Sequence, residues 1–103
     1  MQYEKMKKLS EEIWKQLQET RDEGQKEYAH RKDNVFANFD RVAERLQVTP
    51  EKVLMVYLLK HIDGITAYIE GHTSQREDVR GRIKDSMVYL MLLWGMIEEQ
   101  HEI

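Results

Sequence analysis

The sequence contains no cysteine, only one proline and five glycines among its 103 residues. The absence of cysteine excludes a disulfide framework, a thiolate zinc site and a thiol nucleophile. Because helix-breaking residues are so few and apolar residues do not alternate with polar ones, the sequence predicts an all-α fold. The length fits one domain, so we expect residues 1–103 to form a single helical domain.

The chain also lacks a strong excess of one charge and a long apolar run. Its 16 basic and 19 acidic residues give a net charge of -3, which disfavours broad electrostatic binding to duplex DNA or to an anionic membrane. The apolar runs are shorter than a membrane span, and the polar N-terminus does not match a signal peptide. We therefore expect a cytoplasmic protein in which anions bind only at a local basic pocket.

Four segments show the apolar spacing that is typical of amphipathic helices. The third segment has the clearest start, with Thr49 as the expected N-cap and Pro50 as the first helical residue. Ser74 and Glu77 match a capping box, which predicts the start of the fourth helix. The predicted helices span about residues 3–30, 34–47, 50–70 and 75–100.

The third and fourth helices are each apolar on two sides. In the fourth helix, a second face containing Gly81 and Gly95 lies beside a heptad-like apolar seam. The seam consists of Val79, Ile83, Met87, Leu90, Trp94 and Ile97. A helix with two apolar sides is normally covered on both, so we expect a four-helix bundle completed by homo-oligomerisation, as a dimer or tetramer.

Charged residues interrupt the apolar faces of these two helices. Lys60 and His61 occur late in the third helix, and Asp85 lies among apolar residues of the fourth. Because burying an unpaired charge is costly, two interpretations remain open. Either Lys60 and Asp85 form a buried ion pair that fixes the helix register, or Lys60 and His61 face a cavity that receives an anion.

Basic residues are concentrated at the predicted start of the fourth helix. They are Arg76, Arg80, Arg82 and Lys84. Helix N-termini offer free amide donors, so basic side chains there favour a phosphate or carboxylate site. The alternative is that these side chains are solvated or form ion pairs with neighbouring acids, which contribute little to stability.

Two tyrosines and one asparagine are candidate contacts for a nucleobase. Tyr57 and Tyr89 have the spacing of core residues, so packing is their first explanation, but a tyrosine ring is also suited to stack on a base. Asn38, near the start of the second helix, offers an amide that can pair with polar base edges.

The resemblance to a known family rests on four stretches that occur in consistent order. They are residues 34–39 (Asn-Val-Phe-Ala-Asn-Phe), 49–54 (Thr-Pro-Glu-Lys-Val-Leu), 60–61 (Lys-His) and 81–90 (Gly-Arg-Ile-Lys-Asp-Ser-Met-Val-Tyr-Leu). Over about residues 28–99, the chain resembles the nucleotide modification associated domain 1 family of small phage-associated helical proteins. This resemblance implies a phage or prophage context and a nucleotide-related ligand.

That family in turn looks like the all-α MazG-type nucleoside triphosphate pyrophosphohydrolases, which hold magnesium with a Glu-Glu-x-x-Glu helix and a Glu-x-x-Asp helix. Asp85 matches the last acid of the second motif, but Arg82 replaces its glutamate. Lys60, His61 and Asp63 occupy the region of the first motif. Since magnesium requires several hard oxygen ligands, the comparison implies a pocket that lost metal-dependent hydrolysis and kept phosphate binding.

We therefore predict a non-catalytic MazG-like bundle, without a cofactor, that binds a nucleotide or cyclic nucleotide in a basic pocket between subunits. In a phage, such a protein would sequester an immune signal of the bacterial host. The predicted ligand-binding residues are Asn38, Tyr57, Lys60, His61, Arg80, Arg82, Lys84 and Tyr89.

Three alternatives remain. The first is a magnesium-dependent pyrophosphohydrolase with Asp63 and Asp85 as ligands, joined by Glu19, Asp22 or Glu23 of the first helix. The acidic residues of that helix have a simpler explanation as a solvated face. The second alternative is an accessory protein that hands nucleotides to modification enzymes, and the third is a protein–protein adaptor.

Overall fold

Every regular element in the computed structural model is helical across the residues that it describes, 1–29, 33–72 and 76–101. The elements are α1 (Tyr3–Gly24), a π-helix (Gln25–Ala29), α2 (Ala37–Leu46), α3 (Pro50–Ile69) and α4 (Val79–His101). The prediction of an all-α fold is confirmed. Within the described ranges, no helix has both the length and the apolarity needed to cross a bilayer.

The predicted start of α3 is correct, whereas α4 begins later than predicted. Thr49 accepts a hydrogen bond from the Lys52 N–H at 3.4 Å, and Pro50 is the first helical residue. The fourth helix begins at Val79, where Asp78 Oδ1 accepts the Arg80 N–H at 2.8 Å. Asp78 therefore has the role of an N-cap. The proposed cap Ser74 lies outside the described residues.

The first two helices also differ from their predicted bounds. The α-helix α1 ends at Gly24, and the chain continues directly as the π-helix. In a π-helix, each backbone hydrogen bond spans one residue more than in an α-helix. The second helix begins at Ala37, because the Asn34 side chain accepts the Phe36 N–H at 3.0 Å and forms a turn first. It ends at Leu46, and the following residue, Gln47, has a left-handed φ of 57°.

The helices α3 and α4 form an antiparallel hairpin. Three facing pairs establish this direction: Tyr57 with Tyr89, His61 with Asp85, and Gly64 with Arg82. As the α3 residue number rises, the number of its partner falls. The glycine-containing faces approach closely, since a Cβ at Gly64 would lie 2.5 Å from the Arg82 side chain.

The core lies between α2, α3 and α4. Its buried members are Phe36, Phe39, Ala43, Val53, Leu54 and Met96. The helix α4 contributes to the interior through its second face, where Val88 is also buried. Its heptad-like seam is different: Ile83, Met87, Leu90, Trp94 and Ile97 are all exposed in the single chain. One of the two apolar sides of α4 is therefore uncovered by the described residues.

Candidate functional site

A cavity of about 550 Å³ opens between the end of α1, the π-helix, α2 and the facing parts of α3 and α4. Its apolar wall is formed by Val35, Phe39, Val42, Val88 and Leu92. This volume falls within the range of small-molecule sites, which is roughly 300–1,000 Å³. Since several helices contribute side chains, the geometry of the cavity depends on the packing of the whole bundle.

The cavity brings together five of the predicted ligand-binding residues. Asn38, Tyr57, Lys60, His61 and Tyr89 all line it. They come from α2, α3 and α4, so their proximity is a result of tertiary packing. The antiparallel hairpin accounts for four of these five residues, because the three residues of α3 lie opposite Tyr89 of α4.

Four aromatic rings form a compact group at this wall. The Tyr57 and Tyr89 rings are stacked, with centroids 6.1 Å apart and an interplanar angle of 13°. Phe39 meets both tyrosines edge-on, at 6.2 and 6.3 Å. The His61 ring lies 5.8 Å from the Tyr89 ring at 29°. Because each ring restrains its neighbours, the wall offers a fixed aromatic surface.

The side chain of His61 is 8% exposed and faces Asp85. The distance from His61 Nε2 to Asp85 Oδ2 is 3.8 Å, which is longer than a hydrogen bond. Its Nδ1 is buried and has no hydrogen-bond partner among the described residues. Of the two interpretations of Lys60, the ion pair with Asp85 does not form, because successive helical residues point about 100° apart and His61, not Lys60, faces Asp85.

His61, Glu77 and Asp85 form a cluster of potential metal ligands. One ligand atom from each side chain lies within 4.8 Å of the others, and all three residues line the cavity. The sequence predicted Glu77 only as a capping residue, so its place in the site was missed. With Asp78 as the actual cap, Glu77 precedes the helix and forms no hydrogen bond or ion pair with the described residues. The preference of aspartate for N-cap positions was the sequence signal that could have placed the start of α4 after Asp78.

The charge of the cavity is mixed. Arg21, Arg41 and Lys60 are its basic residues, and its carboxylates are Glu23, Glu27, Glu77 and Asp85. Arg21 donates a hydrogen bond to Gln25 Oε1 at 3.4 Å. Lys60 lines the cavity and forms no ion pair with a carboxylate in the described ranges.

Arg80, Arg82 and Lys84 do not line the cavity. Arg80 is bound to Asp78 through two side-chain hydrogen bonds, of 3.1 Å from Nε and 2.8 Å from Nη2. Arg82 lies across Gly64, and its Nε is buried without a partner among the described residues. Arg80 and Lys84 are four residues apart and lie on one side of α4, whereas Arg82 points to roughly the opposite side, so the three cations do not converge on one ligand.

Comparison with known proteins gave no match to a family model, a curated protein or a solved structure. The resemblance to the nucleotide modification associated domain 1 family therefore stays a prediction. The structure brings together only some of the carboxylates that were predicted as magnesium ligands for the alternative enzyme. Asp85 lines the cavity, whereas Asp63 is exposed outside it. Of the acids in α1, Glu23 lines the cavity, and Glu19 and Asp22 do not.

Proposed function

We propose that this protein binds a nucleotide, linear or cyclic, in the cavity without hydrolysing it. The observation that carries the proposal is the convergence of Tyr57, Tyr89, Lys60 and Asn38 on one cavity with an apolar wall. Aromatic faces stack on bases of any sequence, and an ammonium group binds phosphate. A side-chain amide can both donate to and accept from a base edge.

The positions of these groups suggest an orientation for the ligand. Tyr57 is 39% exposed, so part of its ring is open to stacking beside the apolar residues Val42 and Phe39. Lys60 follows Tyr57 by one turn of α3, and Arg41 adds a second cation at the same cavity. We infer that the base lies against the tyrosine and that the phosphates lie near the two cations.

A stoichiometric trap is the biological role that best fits this site. A trap requires affinity and not turnover, and the resemblance to phage-associated proteins supplies a setting in which trapping is useful. In the cytoplasm of an infected bacterium, the protein would withdraw a nucleotide immune signal from its receptor. The delivery of nucleotides to modification enzymes is the alternative role for the same binding activity.

We also propose that the functional form is a homo-oligomer in which a second copy covers the seam of α4. Leu90 and Trp94 are 52% and 69% exposed, although their heptad spacing is typical of helices that pack on a like partner. The accessible surface of the chain is 8277 Å², against about 6,100 Å² for a compact monomer of this mass. The difference exceeds the roughly 800 Å² that a standard interface buries per partner.

Isothermal titration calorimetry of protein treated with EDTA tests the nucleotide proposal. The ligands are nucleoside mono-, di- and triphosphates together with cyclic mono- and dinucleotides. We expect one of these classes to bind stoichiometrically and to be recovered unchanged after denaturation. Tyr57→Ala and Lys60→Gln should each weaken binding by about tenfold, since stacking of a base on an aromatic ring contributes roughly 1–3 kcal/mol and a charge-assisted contact roughly 1.5–3 kcal/mol.

Matched variants on the same helix control for indirect effects. Tyr68→Ala and Lys52→Gln remove an exposed tyrosine and an exposed lysine of α3 that do not line the cavity. Both should bind the nucleotide as the wild type does. Absence of binding by folded protein to every ligand class would contradict the proposal and favour the adaptor alternative. An equal loss in the control variants would show that the binding is not specific to this cavity.

The cluster of His61, Glu77 and Asp85 favours a second candidate function, metal-dependent pyrophosphohydrolysis. Such an enzyme would hold a metal ion beside the inferred phosphate position. Incubation of the protein with nucleoside triphosphates and Mg²⁺ or Mn²⁺ separates the two functions. Release of pyrophosphate that is abolished by Asp85→Ala would favour the enzyme, and intact recovery of the nucleotide would favour the trap.

A further inference from the structure

We propose that His61, Glu77 and Asp85 bind one divalent transition-metal ion, of the class that includes Mn²⁺, Fe²⁺ and Zn²⁺. The three side chains come from separate places: the middle of α3, the residues before α4, and the second turn of α4. They nevertheless bring one ligand atom each to within 4.8 Å of the others. Ligands of one ion at bond lengths of about 2.0–2.2 Å lie at most about 4.4 Å apart, so small side-chain movements complete the site.

The donor set indicates the class of metal. An imidazole nitrogen suits first-row transition metals, and carboxylate oxygens are accepted by the same ions. Magnesium and calcium prefer sites made only of oxygen, so the histidine disfavours both. Two carboxylates balance the charge of a divalent ion, and three protein ligands leave coordination positions free toward the cavity.

The unpaired state of His61 is an independent observation that points to a ligand. Buried polar side chains are nearly always hydrogen-bonded, yet neither nitrogen of this imidazole forms a hydrogen bond with the described residues. Its Nε2 faces Asp85 at 3.8 Å, which leaves a gap too wide for a hydrogen bond. Coordination of a metal ion by Nε2 would bridge this gap between the imidazole and the carboxylate.

The two carboxylates of the cluster, those of Glu77 and Asp85, have no lysine or arginine partner among the described residues. Lys60 lines the same cavity, but its ammonium group is not within ion-pair distance of either acid. No resident cation within those ranges therefore replaces the proposed metal.

Titration of EDTA-treated protein with Mn²⁺ alone tests the site, because Mn²⁺ broadens the NMR signals of nearby protons. We expect calorimetry to show one Mn²⁺ per chain, bound at least about tenfold more tightly than Mg²⁺. At a low ratio of metal to protein, the ring signals of His61 should broaden first. The rings of His72 and His101 are exposed and lie outside the cluster, so their signals report adventitious binding.

Two conservative variants and one matched control locate the ligands. Glu77→Gln and Asp85→Asn should each weaken Mn²⁺ binding by about tenfold or more, since each removes a charged ligand. Asp63→Asn removes an exposed acid of α3 outside the cluster and should leave the affinity unchanged. Because Glu77 is exposed, its replacement does not threaten the core, and circular dichroism checks the fold of all three variants.

Three results would overturn the metal site. They are absence of Mn²⁺ binding, broadening of the exposed histidines before His61, and loss of affinity in Asp63→Asn without loss in Glu77→Gln. The inference does not rest on the proposed nucleotide ligand, because the metal alone is the probe. If the protein binds a nucleotide in EDTA but does not bind Mn²⁺, only the metal site is contradicted. If it binds Mn²⁺ at this cluster but binds no nucleotide, only the nucleotide proposal is contradicted.

Discussion

Arg80 binds the carboxylate of Asp78 through its side chain and also donates its backbone N–H to the same group. The Arg80 side-chain hydrogen bonds, followed by this backbone hydrogen bond, lower the pKa of Asp78 from 3.8 to about 2. The same carboxylate raises the pKa of Arg80. Arg80 is therefore engaged at the start of α4, although its side chain is 86% exposed.

Removal of the guanidinium group should raise the pKa of Asp78. In Arg80→Gln we expect it to rise from about 2 toward 3.8 but to remain below it, because the backbone N–H of residue 80 still donates. A folded-state pKa below the unfolded one stabilises the protein above the unfolded value and loses this effect as pH falls. The free energy of unfolding in urea should therefore be higher for the wild type than for Arg80→Gln at pH 6, and this difference should shrink progressively between about pH 4 and 2.

Carboxyl NMR titration measures the pKa of Asp78 directly. Lys84→Gln is the matched control, because it removes the same charge from the first turns of α4 without touching Asp78. Its Asp78 should titrate as in the wild type. An Asp78 titration that is identical in Arg80→Gln and the wild type would contradict the role of the arginine.

At the scale of elements, α4 packs on the chain through its glycine-containing face. A Cβ added at Gly95 would lie 3.1 Å from Phe36 Cζ, which is closer than ordinary contact. A Cβ added at Gly81 would meet nothing within 4 Å. The two glycines therefore have different roles, although they belong to the same predicted face of the helix.

Alanine at these two positions should have different effects on stability. Gly81→Ala should raise the free energy of unfolding by up to about 1 kcal/mol, because alanine loses less backbone entropy on helix formation than glycine. Gly95→Ala should raise it by less or lower it, since the ring of Phe36 must move within a packed core. Urea unfolding of the two variants in parallel measures the difference, and an equal gain in both would contradict the close packing at Gly95.

Local signals made some element boundaries predictable from the sequence. The start of α3 depends on Thr49 and Pro50, whose effects act within one turn, and it was predicted correctly. The start of α4 was not, because Asp78 and Ser74 are both suitable caps and the choice between them depends on the surrounding structure. The continuation of α1 as a π-helix has no comparable local signal in the sequence.

The candidate site was predictable only in part, for a related reason. The grouping of Tyr57, Lys60 and His61 follows from helical spacing and was anticipated. The position of His61 opposite Asp85 depends on the register between two helices, which the spacing within each helix does not determine. Glu77 was missed because its position in the cluster depends on where α4 begins.

At the scale of the whole molecule, the single chain is more extended than a compact domain. Its radius of gyration is 15.6 Å, against about 13 Å for a compact chain of this length. On α1, the apolar side chains of Met6, Leu9 and Trp14 are exposed. Exposed apolar residues on α1 and α4 are the surface that the proposed second copy would cover.

A charge in the seam of α4 should prevent the proposed self-association. We expect the protein concentration at which the oligomer dissociates to be at least about 100-fold higher for Leu90→Glu than for the wild type. The reason is that burial of an unpaired carboxylate costs several kcal/mol. Native mass spectrometry and light scattering over a dilution series measure the subunit number. Helical content should be retained, since Leu90 is half exposed in the single chain.

The matched control places the same charge on another exposed leucine. Leu46 ends α2, is 65% exposed and lies outside the seam, so Leu46→Glu should keep the subunit number of the wild type. If the wild type is monomeric throughout the dilution series, or if Leu90→Glu assembles as the wild type does, the seam is not the interface. Dissociation caused by Leu90→Glu alone would instead show that the uncovered side of α4 is buried by a second copy, as its heptad spacing indicates.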